Sequence, residues 1–278
     1  MKTKKPSLAE HAVYLLIALL FLFPFIWSAI NSVKPSIEAS ASPSTFLPSR
    51  ISLENFTKIA SYGAGVGIYT VNSFVVAILA TFFSIALSAT AGYGFARYNF
   101  RIKNLMFIVI IATMVLPFQT IITPLFFLMN GLGLSNSLFG LSLVYTMLQI
   151  AFGTLVMRNA FAAIPREIEE SARIDGCNSG RVMTMVMLPI AAPGVVTVGI
   201  ISFINSWNEF LASLIFISEE RRYTMPVMLS NIRSGLHGAI DWGELQSGLV
   251  IAALPCLLIF FAFQRYYISG LTSGSVKG

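Results

Sequence analysis

The chain has 278 residues, of which 56% are hydrophobic and only 11% charged, with a formal net charge of +6. A domain that faces water carries roughly 25% charged residues, so this composition excludes a soluble globular protein and makes lipid the solvent. In such a chain the positive balance reads as basic loops on one side of a bilayer, not as a surface for nucleic acid.

Six apolar stretches reach the ~20 residues that a helix needs to cross a bilayer. They lie near 13–31, 71–95, 105–129, 138–158, 193–217 and 247–267, which predicts an all-α integral membrane protein with about six transmembrane helices in a single domain, 1–278. The first stretch follows Lys2, Lys4 and Lys5 as a signal peptide would, and Ala39-Ser40-Ala41 resembles a cleavage site. Its apolar run is longer than a ~7–15-residue signal core, and the Ala-Ser-Ala lies well past its end, so it is expected to stay as an anchor. The segment 32–70 is polar, contains Pro35, Pro43 and Pro48, and reads as an outside loop ending in a short amphipathic piece around Leu53–Ile59. Pro24, Pro117, Pro124 and Pro255 interrupt spans and read singly as kinks.

Twelve of the eighteen basic residues fall on the side of the N-terminus, which places both termini in the cytoplasm by the positive-inside rule. Cys177 and Cys256 read as free thiols, and His11 and His237 have no metal-ligand spacing.

The connection 159–192, on the cytoplasmic side, carries the strongest local signal. Pro165 suits the first turn of a helix, Glu167, Glu169 and Glu170 complement its N-terminal dipole, and Gly176 suits the left-handed residue that ends it. Ile164, Ile168 and Ala172 recur at four-residue spacing and give the helix a narrow apolar stripe. An interfacial helix would favour a basic polar face, whereas this one is acidic, so docking into a cleft of a partner protein is preferred over lying on lipid.

The run Glu169-Glu170-Ser171-Ala172-Arg173-Ile174-Asp175-Gly176, followed by Leu188-Pro189, resembles the EAA loop of ABC importer permeases. Ser171 and Cys177 stand where that pattern usually has alanine, both small for small. Asn72-Ser73, Gly92-Tyr93-Gly94-Phe95-Ala96-Arg97, Trp207-Asn208-Glu209-Phe210 and the tail from Gln264 to Gly278 also look like the MalG-like branch of carbohydrate permeases. The resemblance implies a type I importer permease of the cell inner membrane, which pairs with a second, homologous permease to form one pathway. It implies ATPase coupling through Glu169, Glu170, Ala172, Asp175 and Gly176, and an extracytoplasmic sugar-binding protein that the outer loop 218–246 helps to unload. No cofactor is expected on this chain: none of its seven lysines follows a glycine, so no phosphate-binding G-x-x-x-x-G-K-[ST] occurs, and ATP and Mg belong to the ATPase. The alternatives are a gradient-driven secondary transporter, which would need ionisable residues at midplane, an ABC permease for a solute other than sugar, or a structural scaffold.

For the pathway, Asn205, Asn208 and Glu209 share a face of the fifth stretch at spacings of three and four. They are expected either to line a wet route or to lock that helix to a neighbour's Arg or backbone. Gln119, Thr120 and Thr123, between Pro117 and Pro124, form a second candidate wall, and Gln149 a third.

Overall fold

The computed structural model describes residues 7–41, 43, 45–235 and 240–273, and helix is the only regular structure among them. His237 and the basic residues Lys2, Lys4, Lys5 and Lys277 lie outside the described residues. In chain order the first helices are α1 (Leu8–Ser32), α2 (Ser36–Ala39), α3 (Glu54–Ala60), α4 (Val66–Arg97), α5 (Lys103–Ala112), α6 (Phe118–Gly131) and α7 (Leu138–Ala162). They are followed by α8 (Arg166–Ile174), α9 (Ser179–Arg181), a π-helical turn Val182–Met187, α10 (Leu188–Ile190), α11 (Ala192–Asn208), α12 (Leu211–Phe216), α13 (Met225–Ser234) and α14 (Trp242–Ser273).

Among the described residues, four helical segments are long and apolar enough to cross a membrane unaided: Glu10–Ser32, Val66–Arg97, Leu138–Ala162 and Trp242–Phe263. Among the described residues two bent helix pairs are also long and apolar enough when each is taken together, and here the structure corrects the sequence reading. The third stretch is not a kinked rod but turns through 105° between Val115 and Phe118. Pro117 sits in an extended conformation ahead of α6, because its ring and missing N–H cannot continue the preceding helix. Pro24, Pro124 and Pro255, by contrast, stay inside helices. An 80° bend between Ile190 and Ala192 lies just ahead of the fifth stretch, whose first helix ends at Asn208, so 211–216 is a separate short helix. The π-helical turn lies where Pro189 withdraws an amide donor from the ladder.

The single domain expected from the sequence packs as two compact units. One comprises the described residues of Met1–Gly67 and Met228–Pro255, the other those of Ile68–Val227 and Cys256–Gly278. In the first, α1 opens with a capping box between Ser7 and Glu10, which satisfies free amides at its start. Lys34 is fully buried, donating to Asn31 Oδ1 at 2.9 Å and to the Thr45 carbonyl, with its ammonium 5.0 Å over the Trp27 ring. Asn55, also fully buried, donates to the carbonyls of Ser32 and Lys34. A side chain at Gly243 would strike Asn55, so α3 and the start of α14 meet through that glycine. Asp241 caps α14 through the Glu244 amide and pairs with Lys58 at 2.8 Å. Burial alone would raise the Asp241 pKa, but these bonds hold it below the usual carboxylate range.

The second unit is built on close helix crossings. An added Cβ at Gly92 would lie 2.6 Å from the Met157 side chain, at Gly153 2.2 Å from the Ser88 hydroxyl, and at Gly194 2.8 Å from Ala160. Small residues here let α4, α7 and α11 approach backbone to backbone, which is how helices associate where lipid gives no hydrophobic drive. Two apolar cores result. One gathers Val76 and Ala80 of α4 with Ile122, Tyr145 and Phe216; the other gathers Ala89 and Tyr93 of α4 with Phe161, Ala172 and Met187.

Candidate functional site

The short helix α8 forms where the sequence places it, with one residue of difference at its start: Pro165 is the extended N-cap rather than part of the first turn. Its end is a Schellman motif. Gly176 has φ +84° and donates to the Arg173 carbonyl, and the Cys177 amide reaches back to the Ala172 carbonyl, both at 3.0 Å. Glycine enters this left-handed conformation without the steric cost that a Cβ imposes.

The inward face at α8 keeps two members of the stripe read from the sequence and replaces the third. Ile164, Glu169 and Ala172 are buried, while Ile168 is exposed. Glu169, one of the residues expected to couple to an ATPase, is held by side chains of this chain. Its Oε1 accepts from the Tyr93 hydroxyl at 2.9 Å and from Arg173 Nη2 at 2.8 Å. Its Oε2 stands 3.2 Å from Arg97 Nε in an ion pair whose side chains are 5% and 8% exposed. Arg97 also donates from Nη2 to the Ile164 carbonyl at 2.7 Å, just ahead of α8. A carboxylate removed from water must be neutralised and hydrogen-bonded, and the paired residues Tyr93 and Arg97, one helical turn apart at the end of α4, supply most of that. The contact with Glu169 raises the pKa of the exposed Arg173 guanidinium. Glu167, Glu170, Ile174 and Asp175 point to solvent, and Ile174 is 87% exposed. Ala172 belongs to the inner core, so of the residues assigned to coupling, Glu170, Asp175 and Gly176 are exposed and Glu169 and Ala172 face inward.

The polar face of α11 is resolved differently for each member. Asn205 is exposed and donates to Gln149 Oε1 at 3.0 Å, which joins it to the third candidate wall on α7. Asn208, also exposed, donates to the Ile204 carbonyl and contacts Cys256 Sγ at 3.7 Å. Glu209 leaves the helix: its carboxylate accepts from the amides of Ala212, at 3.1 and 3.0 Å, and of Ser213, at 3.4 Å, capping α12. A helix break therefore separates it from the face it was expected to share, and its partner is the backbone of the next helix, not an arginine. Gln119 and Thr123 are exposed on α6, and no described hydrogen bond joins them to the α11 group.

Two anchoring sets escaped the sequence reading. Asn136, at φ 52° between α6 and α7, accepts on Oδ1 from the amides of Ser218 and Glu219. At the start of α4, Asn72 donates to the carbonyls of Arg221 and Tyr223 at 2.8 and 3.0 Å, Ser73 accepts from the Met225 amide at 2.8 Å, and the Tyr69 hydroxyl donates to Glu220. Asn72-Ser73 was recognisable in the sequence as a family feature, but its partners lie some 150 residues away.

The family described as the binding-protein-dependent transport system inner membrane component matches residues 84–273. The sulfoquinovosyl glycerol transport system permease protein SmoH of Agrobacterium fabrum is 37% identical across 92% of this chain and 89% of its own length. The probable ABC transporter permease protein YurM of Bacillus subtilis is 34% identical across 99% of this chain and 91% of its own. In fold, the chain is similar to a bacterial ABC transporter involved in the import of the acidic polysaccharide alginate. The TM-score is 0.81 at 21% identity, covering 95% of this chain and 100% of that one. These matches span most of the sequence, α8 included, and the chain belongs to the inner-membrane components of binding-protein-dependent transport systems, the non-catalytic permease subunits of ABC transporters.

Proposed function

We propose that this permease forms half of the pathway of a sugar importer, in the cell inner membrane, with both termini in the cytoplasm. A second, homologous permease supplies the other half. The outer face of α8 docks into a separate ATPase subunit, which holds ATP and Mg, and an extracytoplasmic binding protein delivers the sugar to the loop 218–246. The observation that carries this reading is the two-sided character of α8. Its inner face is fixed by Glu169 and Ala172, and its outer face leaves Ile174 in the open beside Glu170 and Asp175. A cleft in a partner would bury the isoleucine, whereas anionic lipid would repel the acids. A sugar is favoured because the relative from Agrobacterium is named for a glycosyl glycerol and the similar structure for a polysaccharide. Asn205 and Asn208, exposed on α11, offer amides suited to sugar hydroxyls, with Gln149, Gln119 and Thr123 as further candidates.

Purifying the chain from its native membrane and reconstituting the complex tests this directly. An ATPase subunit should co-elute, and uptake of a sugar into vesicles should require both ATP and the binding protein. Uptake without ATP, or a chain that elutes without an ATPase, would refute it. A reporter fused after Lys277 should be cytoplasmic and one inserted near Gly235 extracytoplasmic.

A further inference from the structure

We infer that α4 acts as a rod that ties the ATPase-facing helix α8 to the base of the outer loop, with Tyr93, Arg97 and Glu169 as the inner staple and Asn72 and Ser73 as the outer clamp. The inference rests on the proposed docking of α8 and assigns positioning roles that this docking does not by itself require.

Every contact involved lies within one compact unit. At one end of α4, Tyr93 and Arg97 hold Glu169 of α8, and Arg97 also holds the carbonyl of Ile164, where the chain enters α8. At the other end, Asn72 binds the carbonyls of Arg221 and Tyr223 and Ser73 receives the Met225 amide, so that a three-residue stretch and its neighbour are fixed by side chains of a single helical turn. The two ends are joined by one uninterrupted helix with no proline, Val66–Arg97. At 1.5 Å per residue, Asn72 and Tyr93 are about 32 Å apart along it. The rod is gripped in both halves, by the core at Val76 and Ala80 and by the core at Ala89 and Tyr93. Buried, hydrogen-bonded attachments at both ends of a rigid element form the kind of contiguous network through which a displacement at one site can bias the other. A shift of α8 driven by nucleotide would then move the base of the outer loop without any change inside α4.

The test uses the whole complex with its partner permease, ATPase and binding protein, and follows amide hydrogen exchange of residues 219–225 with and without a non-hydrolysable ATP analogue. In the unaltered complex the analogue should change exchange in this segment by at least about fivefold, the lower range of allosteric coupling. Glu169→Gln should abolish that response while the ATPase remains bound. Tyr93→Phe, which keeps the buried ring and removes only the hydroxyl, should weaken it and serves where Glu169→Gln fails to assemble. Asn72→Ala and Ser73→Ala should raise exchange in the segment and uncouple it from nucleotide. Combining Glu169→Gln with Asn72→Ala should lower the ratio of binding-protein-stimulated to basal ATP hydrolysis no further than the more severe single variant, because one connection is being cut twice. A segment indifferent to nucleotide in the unaltered complex, a full response in the staple variants, or losses that multiply in the double variant would each overturn the rod. An unaltered chain that binds no ATPase would instead overturn the proposed docking, so the two failures are distinct.

Discussion

Glu169 and Glu209 are both acids at the edge of an apolar helix bundle, and the structure disposes of their charge in opposite ways. Glu169 is buried on α8 and depends on Tyr93 and Arg97, more than seventy residues earlier in the chain. Glu209 is half-buried and depends on the amides of Ala212 and Ser213, three and four residues later. The first is a tertiary attachment that exists only when α4 and α8 are docked. The second is mainly local capping of α12 by the Glu209 carboxylate, with the Tyr145 hydroxyl of α7 donating to the Glu209 carbonyl at 3.2 Å. An acid near a membrane helix is therefore not evidence of a pathway until its partner is known: one of these holds α8 against α4, and the other caps the start of α12.

Three substitutions break or sharpen this contrast. The largest effect is expected from Arg97→Met, which leaves the buried Glu169 carboxylate without its nearest enclosed cation. Removing one partner of a buried pair costs about 3 kcal/mol, so the thermal midpoint of the purified chain should fall and ATPase retention with it. An unchanged midpoint would mean that Arg173 and Tyr93 suffice for Glu169. Gly176→Ala comes next. Space for the methyl group is free, so only the left-handed backbone is penalised, by about 1–2 kcal/mol. The loss should appear as faster amide exchange over 172–177, with the rest of the chain unchanged. Glu209→Gln should have the smallest effect, below about 1 kcal/mol, since the amide keeps one acceptor for the α12 amides and loses only the charge–dipole part. A cost as large as that of Arg97→Met would show that Glu209 is paired in the assembled transporter, and the contrast would collapse.

Most of the fold class was legible in the sequence, since a run of ~20 apolar residues has one solution in lipid, a helix with its backbone bonds satisfied internally. The helix α8 and its Gly176 terminus were legible for a similar reason: capping, dipole and left-handed glycine are all settled within a few residues. The bends were less so. Pro117 and Pro124 lie in one apolar stretch, yet only Pro117 breaks it and Pro124 stays inside α6, so the residue type by itself does not mark which proline bends the chain. The apolar stripe at Ile164, Ile168 and Ala172 failed at Ile168, because a three-sided grip on Glu169 turned that acid inward in its place.

That the chain lives in a membrane, which stretches of it are apolar helix, and that α8 ends at Gly176 follow from the sequence alone, because each rests on interactions between residues close in the chain. Only the tertiary structure decided which glutamate of α8 faces inward, why Tyr93 and Arg97 stand one turn apart, and what Asn72 and Ser73 hold. Those bonds join residues 67 to 152 positions apart, and no local periodicity encodes a partner at that distance; docking of the helices creates it.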